Sequence, residues 1–165
     1  GSTIGITIVG KPEELRPALD LARRYDPLVL VEEYLQGVEI TGAVLGNRNP
    51  QALPLVEIVP GEQYGFFTYE AKYTPGATRE ICPARLSETL TQKAQEYAVR
   101  AHKALKCRGY SRTDMIACDN EVYILETNTI PGMTATSLFP QAAAAAGISF
   151  PQLLDRLIEL ALEKD

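Results

Sequence analysis

The chain has 165 residues, of which 45% are hydrophobic and 22% are charged, and its net charge is −5. This length suits one domain or two small ones, and the composition is that of a globular protein. The acidic balance argues against nucleic acid as a partner, because phosphate backbones attract basic surfaces. No apolar run reaches membrane-spanning length and the start is no signal peptide, so we expect a cytoplasmic protein with no membrane partner.

The first elements follow from hydrophobic periodicity. It predicts a strand at about residues 6–9 and a helix at about residues 12–24. Pro17 conflicts with a regular helix interior, so we expect a kink there or a later start. The apolar run at residues 28–31 is typical of a strand buried on both faces.

The later elements have clearer signals. Runs at about 37–46 and 52–59 flank an Asn-Arg-Asn-Pro segment and predict a hairpin. Ser87 is suited to cap a helix that reaches about residue 106, with an inward face made of Leu90, Ala94, Ala98, Ala101 and Leu105. Beyond it the pattern predicts strands and then helices, at about 110–118, at about 122–128, just before Gly147 and at about 151–162.

Cysteine and histidine offer little chemistry. The three cysteines are an odd number at irregular spacing, which fits reduced thiols better than a disulfide framework or a zinc site. The single histidine, His102, lies within the long predicted helix. We expect it on the surface of that helix rather than in a catalytic role.

A stretch of about twenty-five residues between the hairpin and the long helix has little periodicity and exceeds the usual loop length. It is rich in aromatic residues, which argues against plain disorder. We interpret it as a lid over a ligand, with Lys72 as a phosphate contact. The alternative is a surface loop packed by its own aromatic side chains.

Polar side chains end the two predicted strands that come after the long helix. Asp114 lies on the first strand, and Glu126 and Asn128 lie on the second. Two carboxylates and an amide make an oxygen site suited to Mg²⁺, and Arg112 adds a charged donor fork for phosphate. The Pro131-Gly132 turn then brings bare backbone close to the bound group. The bland alternative is an Arg112–Asp114 ion pair on the surface of a hairpin.

The length of the hairpin loop decides whether these groups meet. A two-residue turn would pair Asp114 with Leu125 and send Asp114 and Glu126 to opposite faces. A three-residue loop at residues 119–121 pairs Cys118 with Val122 and Asp114 with Glu126. We therefore predict the three-residue loop, with Asp114 opposite Glu126 and the same face continued by Arg112, Asn128, Ile116, Cys118, Val122 and Ile124.

Several motifs together resemble those of D-alanine–D-alanine ligases of the ATP-grasp superfamily. They occur in the family's order over the whole chain, as Gly1-Ser2-Thr3-Ile4-Gly5, Val31-Glu32-Glu33-Tyr34-Leu35, Tyr69-Glu70-Ala71-Lys72-Tyr73, Arg112-Thr113-Asp114 and Leu125-Glu126-Thr127-Asn128-Thr129-Ile130-Pro131-Gly132-Met133-Thr134. The Glu-Ala-Lys-Tyr and Asn-Thr-Ile-Pro-Gly-Met-Thr segments are the specific ones. Phe67-Thr68 departs from the Tyr-Asp that relatives usually carry.

The resemblance implies an α+β fold, with a mainly antiparallel sheet and flanking helices. Residues 1–36 would be the end of the central ATP-grasp subdomain, and residues 37–165 the C-terminal subdomain with a lid loop at about 60–80. We expect the chain to be the C-terminal portion of a longer enzyme and to be inactive alone, because two lysines that hold the nucleotide phosphates in relatives have no counterpart here. The full-length enzyme is expected to be a homodimer.

The implied reaction joins two D-alanines at the expense of ATP, through an acyl phosphate, to make D-alanyl-D-alanine for peptidoglycan. By resemblance two Mg²⁺ ions, or Mn²⁺ in their place, are bound by Asp114, Glu126 and Asn128. Arg112 and the backbone N–H of Gly132 stabilise the tetrahedral oxyanion. Ser2 covers the phosphates, and Tyr73 in the lid accompanies dipeptide formation.

Nucleotide and acceptor contacts are implied in the same way. The nucleotide base would lie near Glu32, Glu33 and Leu35, with Glu39 on the ribose and Lys72 on phosphate. The acceptor D-alanine would contact Ser137 and Leu138.

Simpler interpretations stay open for several of these residues. Glu32 and Glu33 are also ordinary solvated acids, Tyr73 also fits loop packing, and Ser137 also fits a helix cap. At the level of function, the alternatives are a ligase for another acceptor such as D-lactate and, for the isolated chain, a non-catalytic nucleotide- or Mg²⁺-binding module.

Overall fold

A computed structural model of the chain describes residues 4–60, 78–134 and 136–163. The chain divides into two compact units. Of the described residues, the first unit contains 4–36 together with Pro60 and Thr78, and the second contains 37–59, 79–134 and 136–163. The assignment of these residues to two ATP-grasp subdomains stays a prediction, and most of the predicted lid lies outside the described residues.

The first unit has a single described helix, α1 (Pro12–Ala22). Pro12 occupies its first turn, where the missing N–H costs nothing. The Glu14 carboxylate accepts from the backbone N–H groups of Gly10 (2.9 Å) and Lys11 (3.3 Å), which supports the helix start. Pro17 lies inside the helix without delaying it, so the later start that we considered is wrong.

The strands predicted at residues 6–9 and 28–31 are wrong. Both segments lie outside any described ladder, and Leu28 and Leu30 are 85% and 80% exposed. An apolar run becomes a buried strand only when a neighbouring strand takes its backbone hydrogen bonds and a layer covers each face. Among the described residues of this unit, α1 is the only regular element beside them.

The second unit is built on an antiparallel sheet. Its described strands follow the order β4-β3-β1-β5-β6, with β2 also on β1. Their bounds are β1 Val38–Leu45, β2 Gln51–Ala52, β3 Val56–Pro60, β4 Thr78–Ile81, β5 Tyr110–Cys118 and β6 Glu121–Asn128. The predicted hairpin is confirmed, since β1 pairs with β2 and with β3 (Val44 opposite Ala52, Thr41 opposite Val56).

Helix α2 (Glu88–Ala104) covers one face of this sheet. Ser87 caps it as predicted, with its Oγ accepting from the N–H of Leu90 at 3.3 Å. Ala94 and Ala98 are fully buried, and a Cβ at Gly42 on β1 would lie 2.9 Å from the Cβ of Ala98. Small residues on both sides therefore let α2 pack close to the sheet. The core on this face includes Ile40, Val44, Leu55, Met115, Ala117 and Val122.

Two predictions for this helix are wrong. Leu105 is 59% exposed, because the helix ends at Ala104. His102 is buried instead of lying on the surface, and its Nδ1 lies 2.8 Å from Oγ of Ser111 on β5. Burial lowers the pKa of His102 and outweighs an opposing backbone contact at Gly46. The neutral ring ties the end of α2 to the sheet.

Helices α3 (Leu138–Ala145) and α4 (Phe150–Leu162) cover part of the other face. Gly147, with φ +81°, follows the end of α3 as predicted. The core on this side contains Ala43, Val56, Phe139, Ala142, Ala143 and Leu153. The predicted α+β class with an antiparallel sheet is confirmed, and none of the described helices is long and apolar enough to cross a bilayer.

Two leucines of α4 give a matched stability test. Leu153 is fully buried, whereas Leu162 is 75% exposed. We expect Leu153→Ala to cost about 2–5 kcal/mol, because it removes buried methyl groups and leaves a cavity, and Leu162→Ala to change stability by about 0.5 kcal/mol at most. Thermal unfolding followed by circular dichroism measures both. Equal midpoints for the two variants would contradict the packing of α4 against the sheet.

Candidate functional site

The β5–β6 hairpin positions the candidate site, and its loop is shorter than predicted. The turn has two residues, Asp119 and Asn120, both with positive φ (+50° and +62°), and Cys118 pairs with Glu121. Two adjacent left-handed residues are the geometry of the tight turn that fits the twist of a hairpin, and Asp and Asn tolerate it better than most side chains. The predicted three-residue loop is therefore wrong.

A β-bulge corrects the register further along. Met115 pairs with Ile124, but the next pair is Asp114 with Glu126, which leaves Leu125 as an extra residue on β6. Arg112 then pairs with Asn128. The predicted pairings of Asp114 with Glu126 and of Arg112 with Asn128 are confirmed, although the bulge rather than the loop produces them.

The bulge also divides β6 between the two faces of the sheet. Val122 packs with Met115 and Ala117 against α2, and Ile124 lies near Tyr97 and Ala101 of that helix. The prediction that Val122 and Ile124 continue the face of Asp114 is wrong, because the extra residue shifts the alternation between Ile124 and Glu126. Ile116 and Cys118 do alternate with the buried Met115 and Ala117 and keep the Asp114 face.

Two rows of residues cross the sheet on the candidate face. Thr41 of β1 pairs with Asp114, which pairs with Glu126. One step along, Ala43 pairs with Arg112, which pairs with Asn128. Residues two apart on a strand share a face, so Glu39 of β1 also belongs to it. The second unit therefore brings together five predicted site residues, namely Glu39, Arg112, Asp114, Glu126 and Asn128.

Arg112 and Asp114 form a two-point ion pair. Arg112 Nε donates to Asp114 Oδ1 at 2.8 Å and Nη2 donates to Oδ2 at 2.7 Å, and both side chains are more than four-fifths buried. Burial tends to lower the pKa of Arg112, but the bond to Asp114 and the charges of Asp114 and Glu126 outweigh it and raise that pKa. The ion pair that we considered as an alternative to a metal site is thus present, and the negative charge of Glu126 also acts on Arg112.

The two other oxygen donors are less constrained. The carboxylate of Glu126 makes no hydrogen bond to another described residue, and Asn128 Oδ1 accepts from the N–H of Ile130 at 3.0 Å. No group of three or more acidic, cysteine or histidine side chains forms among the described residues. The oxygen donors available to a cation at this face are the carboxylates of Asp114 and Glu126 and the amide of Asn128. Hard divalent ions bind oxygen donors of these kinds.

The turn after β6 is held by Ser137. Its Oγ accepts from the N–H of Thr134 at 3.0 Å and lies 2.8 Å from Oγ1 of Thr134. A Cβ at Gly132 would lie 3.0 Å from the same Oγ. Gly132 is exposed, and its N–H donates to no described residue. Ser137 is the N-cap residue of α3, as the helix-cap interpretation expected, but its side chain makes no cap hydrogen bond and contacts Thr134 instead.

The remaining predicted residues belong to other segments of the chain. Glu32, Glu33 and Leu35 belong to the first unit, in a segment without regular structure where Glu32 and Glu33 are exposed. Leu138, the first residue of α3, packs against the core of Phe139. Ser2, Lys72 and Tyr73 lie outside the described residues.

Sequence reasoning missed Thr41. Its Oγ1 donates to Asp114 Oδ1 at 2.7 Å, and the residue is 1% exposed. The available signal was a hydroxyl side chain within the otherwise uncharged and apolar run at residues 40–45 of β1. Only the pairing of β1 with β5 shows that this hydroxyl faces Asp114.

Comparison with known proteins agrees with this architecture. A family model described as the D-ala D-ala ligase C-terminus matches residues 1–159. A D-alanine–D-alanine ligase from Syntrophobacter fumaroxidans is 68% identical over 99% of the chain, which covers 52% of that protein. The chain thus spans about half the length of the curated relatives it matches.

Solved structures show the same fold. The crystal structure of a D-alanine–D-alanine ligase from Bacillus anthracis, complexed with ATP, matches 96% of the chain and 49% of its own with TM-score 0.79 and 35% identity. The VanG D-Ala:D-Ser ligase from Enterococcus faecalis matches 98% of the chain and 47% of its own with TM-score 0.83 and 40% identity. With the family model matching nearly its whole length, the chain belongs to the D-alanine–D-alanine ligase C-terminal family.

Proposed function

We propose that the chain is the C-terminal part of an enzyme that joins two D-alanines at the expense of ATP. The observation that carries this proposal is the pairing of Asp114 with Glu126 beside the pairing of Arg112 with Asn128, on one face of a sheet of this family. In the proposed reaction a D-alanine carboxylate attacks the γ-phosphate of ATP and releases ADP. The amine of a second D-alanine then attacks the acyl phosphate, and phosphate leaves.

The donor set fits Mg²⁺. A carboxylate offers about four lone-pair directions, and Asp114 uses two at Oδ1, for Arg112 and Thr41, and one at Oδ2. Oδ2 therefore keeps one direction for a cation. Glu126 makes no competing hydrogen bond to another described residue, and we propose that Asp114, Glu126 and Asn128 hold two Mg²⁺ ions, or Mn²⁺. Bound Mg²⁺ supplies neutralisation of phosphate charge during transfer.

The chain's own groups contribute positioning and charge. Two N–H groups of Arg112 donate to Asp114, and the other three N–H groups of the guanidinium can donate to phosphate oxygens. The N–H of Gly132, which donates to no described residue, is proposed to donate to the oxyanion that forms when the amine attacks. Ser137, whose Oγ accepts from the N–H of Thr134, is proposed to contact the second D-alanine. Leu138 is proposed to contact the same substrate.

The nucleotide contacts are proposed on family resemblance. Glu32, Glu33 and Leu35 would face the base, Glu39 the ribose and Lys72 the phosphates, with Ser2 and Tyr73 closing the phosphate and acceptor sites. Named relatives favour D-alanine as acceptor, at 68% identity, over D-serine, at 40%. Full-length protein incubated with ATP, D-alanine and a panel of D-alanine, D-serine and D-lactate acceptors tests this assignment. A product with D-lactate or D-serine but none with D-alanine would contradict it.

The proposed metal ligands give the first functional prediction. Asp114→Asn and Glu126→Gln should each lower kcat/KM by about 100-fold or more, because several kcal/mol of charge stabilisation is lost. Release of ADP coupled to dipeptide formation measures the rate. Asp119→Asn, in the turn of the same hairpin, removes a carboxylate outside the site and should leave the rate unchanged. Equal rates for all three variants would refute the metal assignment.

Gly132 gives the second. A Cβ there would lie 3.0 Å from Ser137 Oγ, so Gly132→Ala must displace Ser137 or the turn. We expect kcat/KM for the acceptor D-alanine to fall by about tenfold or more, since small misplacements at a reacting centre are costly. Gly10→Ala is the control, because its Cβ would meet only Glu14 at an ordinary 3.7 Å. Unchanged acceptor kinetics in Gly132→Ala would count against the role of this turn.

A further inference from the structure

Two side chains donate hydrogen bonds to the Asp114 carboxylate, namely Arg112 and Thr41. Thr41, whose Oγ1 lies 2.7 Å from Asp114 Oδ1, is neither a proposed metal ligand nor a charged group of the site. The same hydroxyl lies 3.3 Å from the carbonyl oxygen of Thr113. A hydroxyl has one proton to donate, and the shorter contact to a charged acceptor is the stronger one.

The position of Thr41 makes it a fixed donor. It lies on β1, which has β3 on one side and β5 on the other, and the residue is 1% exposed. A β-branched side chain has few allowed χ1 rotamers, and the close packing of the sheet limits them further. Arg112, the other donor, reaches Asp114 with a long and flexible side chain from the same strand.

We propose that Thr41 is a positioning residue that aims the Asp114 carboxylate at the divalent cation. Thr41 approaches Asp114 from β1, whereas Glu126 lies on the opposite side, on β6. Arg112 bonds both oxygens of the carboxylate, and the Thr41 hydroxyl adds a third bond at Oδ1 from the neighbouring strand. Together they fix the rotation of the carboxylate and leave the open direction of Oδ2 for metal. This inference rests on the proposed function, because it concerns the same metal site.

The alternative is that Thr41 only stabilises the sheet. A matched residue separates the two roles. Thr113 of β5 is also fully buried, and its Oγ1 lies 3.0 Å from Oγ1 of Thr127 on β6, on the face away from Asp114. Thr113→Val thus removes a buried cross-strand hydroxyl contact in the same part of the sheet without touching a carboxylate.

Binding of Mn²⁺ is the direct readout, measured by electron paramagnetic resonance on full-length protein with a non-hydrolysable ATP analogue. We expect Thr41→Val to weaken protein-dependent Mn²⁺ binding by about tenfold or more, the usual effect of removing a partner that orients a metal ligand. Thr41→Ser, which keeps the hydroxyl, should restore binding, and Thr113→Val should bind as the unaltered protein does. Thr41→Ala replaces Thr41→Val if the latter fails to fold.

Steady-state kinetics provide a second readout that a structural role would not move. The Mg²⁺ concentration for half-maximal rate should rise in Thr41→Val, and saturating Mg²⁺ should recover most of kcat. Unchanged Mn²⁺ affinity in Thr41→Val, or equal losses in Thr41→Val and Thr113→Val, would overturn the inference and leave the proposed function standing. No protein-dependent Mn²⁺ binding in the unaltered protein would overturn both.

Discussion

The pairing of Asp114 with Glu126 across β5 and β6 is the constraint on which the candidate site depends. Side chains on neighbouring strands meet only when their residues share a row of the sheet, and a shift of one residue sends a carboxylate to the opposite face. The two-residue turn at Asp119-Asn120 alone would produce that shift. The extra residue Leu125 compensates for this shift. Val122 and Ile124 therefore face α2, while Glu126 and Asn128 lie on the polar face.

The rest of the second unit holds this hairpin in place. On one face, the alanines of α2 and Gly42 of β1 allow helix and sheet to approach closely, and His102 ties the end of the helix to Ser111. On the other face, the core that α3 and α4 form with the sheet contains Val56 and Ala43, and the polar residues Asp114 and Arg112 follow them in the same two rows. Strand β1 thereby lies between two packed layers, which makes it a rigid support for the polar groups on β5.

Much of this arrangement could be predicted from the sequence, for identifiable reasons. The long helix, its Ser87 cap and the β1 hairpin have strong local signals in periodicity and turn residues. The strand predicted at residues 28–31 failed because an apolar run does not show whether a neighbour exists to pair with it. His102 failed because its partner, Ser111, is brought to it only by the folded sheet.

The site itself was predicted in its outcome but not in its cause. The side-chain pattern indicated that Asp114 should face Glu126, and we inferred a longer loop to achieve this. The sequence carries no mark of a bulge at Leu125, which is an ordinary strand residue by type. Thr41 escaped notice for a related reason, since its contact with Asp114, 73 residues away in the sequence, depends on the pairing of β1 with β5.

The proposed metal site is tested most directly by a crystal structure of the full-length protein with Mn²⁺ and a non-hydrolysable ATP analogue, with the metal located by anomalous scattering. We predict Mn²⁺ bound to Asp114, Glu126 and Asn128, with Thr41 still donating to Asp114. A structure in which Mn²⁺ contacts only the nucleotide phosphates, or in which Asp114 and Glu126 lie on opposite faces of the sheet, would contradict it.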